Sequence, residues 1–130
     1  MSNNLLKGKK GIISGALDSN SIAWKVAEKC VEQGAEIVLT NAPIAMRMGA
    51  ISELSERLNA PIIPCDVTDN NQVIELVEKS MDHFGGKFDF LLHSIGMSVN
   101  IRKKIAYPEL NYDYYAKGVD VSAMSLHKML

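Results

Sequence analysis

Apolar and polar positions along this chain switch repeatedly between two periods. Short continuous apolar runs of strand length alternate with stretches in which apolar residues return every three or four positions. The run "GIIS" at 11–14 reads as a buried strand. Ile22, Val26, Ala27, Cys30 and Val31 follow at helical spacing, and Gly34 supplies the left-handed residue that closes a helix. "AEIVLT" at 35–40 is a second strand, and after Pro43 a helix is expected over 45–58, with Ile51, Leu54 and Leu58 on one face. "PIIPCDV" at 61–67 reads as a third strand. It leads into a helix capped by Asp69 that carries Val73, Ile74, Val77 and Met81 and stops at Gly85 and Gly86. "FDFLLHSIG" at 88–96 is apolar almost throughout, the pattern of a strand covered on both faces.

Strands alternating with helices at this spacing imply right-handed crossovers and an α/β fold. The expected architecture is a Rossmann-type doubly wound parallel sheet with strand order 3-2-1-4. Residues 97–110 break the pattern and read as a loop long enough to be functional. A last amphipathic helix is expected from Tyr112 to Leu130, with no stop signal in its final turns. Four strands are fewer than the doubly wound fold normally has. Residues 1–130 are therefore expected to be the N-terminal part of a single dinucleotide-binding domain lacking its later strands.

Composition changes this picture little. The hydrophobic fraction of 47% and charged fraction of 22% are ordinary for a globular protein. Fourteen basic against fifteen acidic side chains give no reason to expect a nucleic-acid or anionic-membrane partner. The N-terminus has no signal-peptide pattern and no apolar run reaches membrane length, so a cytoplasmic location is expected. Cys30 and Cys65 have no C-x-x-C spacing and read as free thiols in a reducing compartment. His83, His93 and His127 have no partners at metal-ligand spacing, and no metal site is expected.

The candidate chemistry lies at the strand ends. "SGALDSNSIA" at 14–23 occupies the first βα turn, where free N–H groups and the positive end of a helix form a natural anion site. It holds a single glycine, Gly15. Ser19 and Ser21 stand where the standard short-chain dehydrogenase loop has glycines, and Ser21 could cap the helix or donate to a phosphate oxygen. Asp66 and Val67 end strand 3, where a carboxylate could accept the adenine amino group; closing a turn is the plainer role of such an Asp. Ser94, Ile95 and Gly96 end strand 4 at the topological switch point. At the end of strand 2, Thr40, Asn41 and Ala42 offer no carboxylate for a ribose and no adjacent arginine for a 2′-phosphate, which favours NADH.

Taken together, "GALDSNSIA", "CDV" and "HSIG" resemble the bacterial enoyl-acyl-carrier-protein reductases, a divergent branch of the short-chain dehydrogenases. The segment "NYDYYAKGVDVS" is similar to the forms found in Bacteroidetes-type bacteria, and the resemblance runs from about Lys7 to the end of the chain. It implies reduction by NADH of the trans-2 double bond of an acyl chain carried on acyl carrier protein, in fatty acid biosynthesis. It also implies a homotetramer. By resemblance the cofactor-binding residues are Gly15, Ser21, Ile22, Asp66, Val67 and Ile95, with Ser94 and Gly96 shaping the nicotinamide end and Asn41 and Ala42 at the ribose. Ser98 falls where the family touches the acyl substrate. Ala42 departs from the polar residue that some members place on the ribose.

Family members also use a tyrosine and a lysine spaced Y-x-x-x-x-x-x-K. None of Tyr107, Tyr112, Tyr114 and Tyr115 has a lysine at that distance, nor at the Y-x-x-x-K spacing of ordinary short-chain dehydrogenases. No catalytic residue is therefore expected in these 130 residues, and the pair is expected beyond Leu130. A non-catalytic nucleotide-binding module is the alternative reading. A dehydrogenase acting on ketones or alcohols is a further one, disfavoured by "HSIG" where such enzymes carry "NNAG". The basic trio Arg102, Lys103 and Lys104 could meet an acidic carrier protein or simply be solvated.

Overall fold

A computed structural model describes residues 3–130. The elements run β1 (Lys10–Ser14), α1 (Ile22–Glu32), β2 (Glu36–Thr40), α2 (Ala45–Met48), α3 (Ile51–Leu58), α4 (Asn70–Phe84), β3 (Phe90–His93), α5 (Val99–Arg102), a 3₁₀ turn (Tyr107–Glu109), α6 (Tyr112–Val119), a π-helical turn (Asp120–Met124) and α7 (Ser125–Met129). The three strands form a parallel sheet in the order β2-β1-β3. Ile12 lies opposite Val38 on one side and Leu91 on the other.

Of the expected strand order 3-2-1-4, three strands form, and the segment expected as strand 3 does not become one. Residues 61–67 contribute a single parallel bridge, Leu39 to Ile62, on the outer edge of β2. Leu39 N–H donates to Pro61 O, Ile63 N–H to Leu39 O and Cys65 N–H to Asn41 O, each at 2.9 Å. The segment thus lies where the outer strand was expected, but Pro61 lacks the N–H that would carry the ladder further back. Prolines are tolerated at such an edge because its outward N–H positions need no partner.

Alternation along β1 sends consecutive side chains to opposite faces and builds two cores. On one face Ile13, Ile37 and Leu39 pack with Ala23, Trp24 and Ala27 of α1 and with Ile51 and Leu54 of α3. On the other, Ile12 packs with Cys65, Val67, Val73 and Leu76, and Met129 at the end of α7 joins them. Asp69 caps α4 by accepting from Asn71 N and Gln72 N, and Gly85 ends it in the left-handed conformation, as the sequence leads one to expect.

Three further expectations are modified. Every residue of β3 is half-buried rather than covered on both faces, because β1 is its only strand neighbour among the described residues. The helix expected over 45–58 is broken into α2 and α3 at Gly49 and Ala50, where the chain docks on the β1–α1 loop: Ala50 N–H donates to Leu17 O at 2.9 Å, and a Cβ on Gly49 would lie 2.4 Å from that oxygen. The loop at 97–110 contains α5 and the 3₁₀ turn. Among the described residues no helix is long and apolar enough to cross a membrane.

Candidate functional site

The C-terminal ends of all three strands and the 65–68 segment open onto one crevice, the place where parallel α/β sheets accept ligands. It comprises two adjoining cavities that share Asn41, Ala42, Ile95, Met97 and Val121. The larger, about 370 Å³, also touches Gly15, Leu17, Met48, Ser94, Gly96 and Arg102. The smaller, about 200 Å³, adds Cys65, Asp66, Val67, Thr68 and Lys117.

Gly15 ends β1 with φ +95°, and a Cβ there would stand 2.0 Å from the Ser94 carbonyl oxygen. Only glycine lets the tips of β1 and β3 close to this distance. Its N–H donates to Thr40 O at 3.1 Å, which ties the same loop to β2. Asn41 adds a second tie through Nδ2 to Ala16 O at 2.8 Å, while its Oδ1 accepts from Ala42 N. The loop is thus held by its neighbours before any ligand arrives.

Ser21 occupies the N-cap position of α1 in extended backbone, but its hydroxyl does not cap the helix as the sequence led one to expect. Oγ accepts from Leu17 N at 3.0 Å and Asp18 N at 3.2 Å and donates to Asp18 O. The hydroxyl thus takes its donors and its acceptor from the loop and stabilises the loop in place of the helix turn. The opening turn of α1 has neither a side-chain cap nor an acidic residue, which leaves its first N–H groups available to an anion. Ser21 and Ile22 line a separate apolar groove of about 430 Å³ along α1, with Leu6, Val26 and Cys30, and do not border the crevice.

Asp66 Oδ1 accepts from Thr68 N at 2.9 Å and Thr68 Oγ1 at 2.7 Å. These bonds, aided by the charges of Lys117 and Lys128, hold its carboxyl below the usual value. Oδ2 accepts no hydrogen bond from the described residues, so Asp66 both closes a turn and offers a free acceptor to the crevice. Beside it, burial and the charge of Asp66 push the Cys65 thiol up to about 11, which leaves it an inert packing group.

The far wall comes from the terminal helix. Ser122 Oγ accepts from Met97 N at 3.0 Å and donates to Met97 O at 3.3 Å. Ser125, fully buried, donates to Val121 O at 2.6 Å and meets His93 Nε2 at 2.7 Å. A Cβ on Gly118 would sit 3.2 Å from Met97 O. Segment 93–97 is therefore strung between two serines of one helix.

A family model described as enoyl-(acyl carrier protein) reductase matches residues 15–130. The chain belongs to this family. It is 33% identical over 124 residues to enoyl-[acyl-carrier-protein] reductase [NADH] 2 of Rhizobium meliloti, covering 95% of this chain and 46% of that protein. The corresponding enzyme of Mycolicibacterium smegmatis is 30% identical over 126 residues, covering 93% of this chain and 46% of that protein. Among solved structures, the FabI–NADH complex of Alistipes finegoldii superposes with a TM-score of 0.95 at 58% identity, covering 97% of this chain and 44% of that one. The chain thus spans about half the length of the curated relatives it matches.

Set in this reductase frame, the geometry brings Gly15, Asn41, Ala42, Asp66, Val67, Ser94, Ile95 and Gly96 onto one crevice. Ser98 lies outside it and caps α5, accepting from Ile101 N at 3.3 Å. Sequence reasoning missed Met97, Arg102, Lys117 and Val121 as crevice residues. Small residues at 118, 122 and 125 recur at helical spacing and could have marked the face of the terminal helix that meets the β3 loop. For the reach of Arg102 no local pattern gives a signal.

Proposed function

We propose that this chain forms the NADH-binding half of an enoyl-acyl-carrier-protein reductase, which reduces the trans-2 double bond of an acyl chain in fatty acid biosynthesis. The observation that carries this reading is the convergence of Gly15, Asn41, Asp66, Val67 and Ile95 on one crevice beside the uncapped start of α1. The donor set fits a dinucleotide. Val67 and Ile95 give apolar walls to an adenine, and Asp66 Oδ2 accepts its amino group. The N–H groups that open α1 face the pyrophosphate, and Ser94 and Gly96 border the nicotinamide end. Asn41 and Ala42 bring no cation to the ribose, in keeping with NADH, the cofactor printed in the names of the Rhizobium and Mycolicibacterium relatives.

When bound, NADH supplies the hydride. The residues of this chain would hold and orient it: the Gly15 turn fixes the loop, Asp66 and Val67 would hold the adenine, and the Met97 segment would border the nicotinamide side. Stabilising the charge that develops on the enoyl oxygen needs a donor that no tyrosine–lysine spacing in these residues supplies. Ser98, one turn past the nicotinamide end, borders the path of the acyl chain. The substrate is carried by acyl carrier protein, the complete enzyme assembles as a homotetramer, and it works in the cytoplasm.

Titration of the protein with NADH, followed by the cofactor's own fluorescence, tests the reading. Saturable binding is expected, with no oxidation when a crotonyl thioester is added. Absence of saturable NADH binding overturns the proposal. Turnover by these 130 residues alone would overturn the placement of the charge-stabilising pair elsewhere.

A further inference from the structure

Of the thirteen residues around the larger cavity, Arg102 alone is charged. It ends α5, is exposed to solvent, and its guanidinium makes no ion pair or hydrogen bond with a described residue. Its neighbours in the basic trio are directed elsewhere: Lys103 lies over the Tyr114 ring at 5.3 Å, and Lys104 does not border the crevice. The same cavity is lined by Gly15 and Leu17 of the β1–α1 loop and by Ala42, Ile44 and Met48 beyond β2, none of which carries a charge. Asp66, the acid of the crevice, borders the smaller cavity, which Arg102 does not reach.

An unpaired guanidinium facing an otherwise uncharged cavity is a binding element for an anion. Its planar fork matches the paired oxygens of a phosphate, and no other charge on the cavity wall competes for it. We infer that Arg102 is a cofactor-binding residue of this chain, placed on the wall of the larger cavity at the end of α5 to grip a phosphate of the bound dinucleotide. It supplies from α5 the polar contact that Ala42 leaves out at the end of β2. This rests on the dinucleotide reading above. The shared chemistry is a phosphate oxygen pair, presented either by the pyrophosphate or by the 2′-phosphate of NADPH.

The test measures equilibrium binding of NADH and of NADPH to the protein, to Arg102→Ala and to Arg102→Lys, with Lys103→Ala as the control. Arg102 is exposed, so circular dichroism should show the variants folded. A grip on the pyrophosphate weakens both cofactors about tenfold in Arg102→Ala. A grip on the 2′-phosphate weakens NADPH alone by that factor. In either case Arg102→Lys recovers part of the loss, Lys103→Ala loses none, and the salt dependence of binding falls in Arg102→Ala. Affinities within twofold of the parent for both cofactors in Arg102→Ala overturn the inference while leaving the dinucleotide reading intact. Failure of the parent protein to bind either cofactor instead overturns that reading.

Discussion

Individual positions in this crevice are constrained first by the protein and only then by a ligand. Gly15 is the clearest case: the space its missing Cβ leaves is filled by the Ser94 carbonyl, so the glycine serves the closure of two strand tips. Gly15→Ala places a methyl group against that oxygen and forces a residue with a side chain to φ +95°. Strain of this kind costs about 1–3 kcal/mol, and the clash adds to it. The urea midpoint should fall accordingly, with NADH binding reduced in parallel; an unchanged midpoint would mean that the Ser94 carbonyl turns away at little cost. Ser21 shows the same priority. Its hydroxyl is spent on Leu17 and Asp18, and what it offers the crevice is a loop of fixed shape.

Elements repeat the lesson with more variety. The terminal helix, read from its sequence as one regular amphipathic stretch, contains a π-helical turn at Asp120–Met124. That extra residue per turn re-aims Ser122 and Ser125 toward Met97 and His93, a frequent use of π-helical insertions. Ser122→Ala removes both bonds to Met97 and should cost about 1 kcal/mol. Hydrogen exchange at the Ile95–Met97 amides should quicken while the amides of β2 stay protected; no change at Met97 would show that the clamp is redundant. Long periodic elements such as α1 and α4 were legible because a sustained period runs to a left-handed glycine in each, Gly34 and Gly85. Four-residue helices such as α2 and α5 are shorter than any period can reveal, and the break at Gly49 depends on a contact with Leu17, thirty-two positions earlier. The 61–67 segment misled because its apolar run fits a strand while its prolines permit only a bridge. Eight of the site residues proved neighbours because strand ends in a parallel sheet must meet. Arg102 was read only as part of a basic trio, and its place at the crevice was not legible because it depends on how a loop folds back.

At the scale of the whole molecule the sheet is asymmetric. β2 has the 61–65 segment along its outer edge, whereas β3 has no strand beyond it among the described residues. Even-numbered residues of β1 face β3, and in the register Gly11 to Phe90 through Ser14 to His93 the N–H groups of Phe90 and Leu92 turn toward β1 while those of Leu91 and His93 turn outward. The Leu91 and His93 amides should therefore exchange much faster than those of Phe90 and Leu92, as resolved by NMR. Equal protection across all four would reveal another strand covering that edge, from this chain or a second copy. The tether between β3 and the terminal helix has a mechanical meaning as well. His93 is fixed to Ser125 and Met97 to Ser122, so the 93–97 segment that roofs the crevice is tied to the orientation of the helix. Any rotation imposed on the exposed side of that helix, where Tyr112 and Tyr115 face solvent, would tilt the roof as a lever tilts its load.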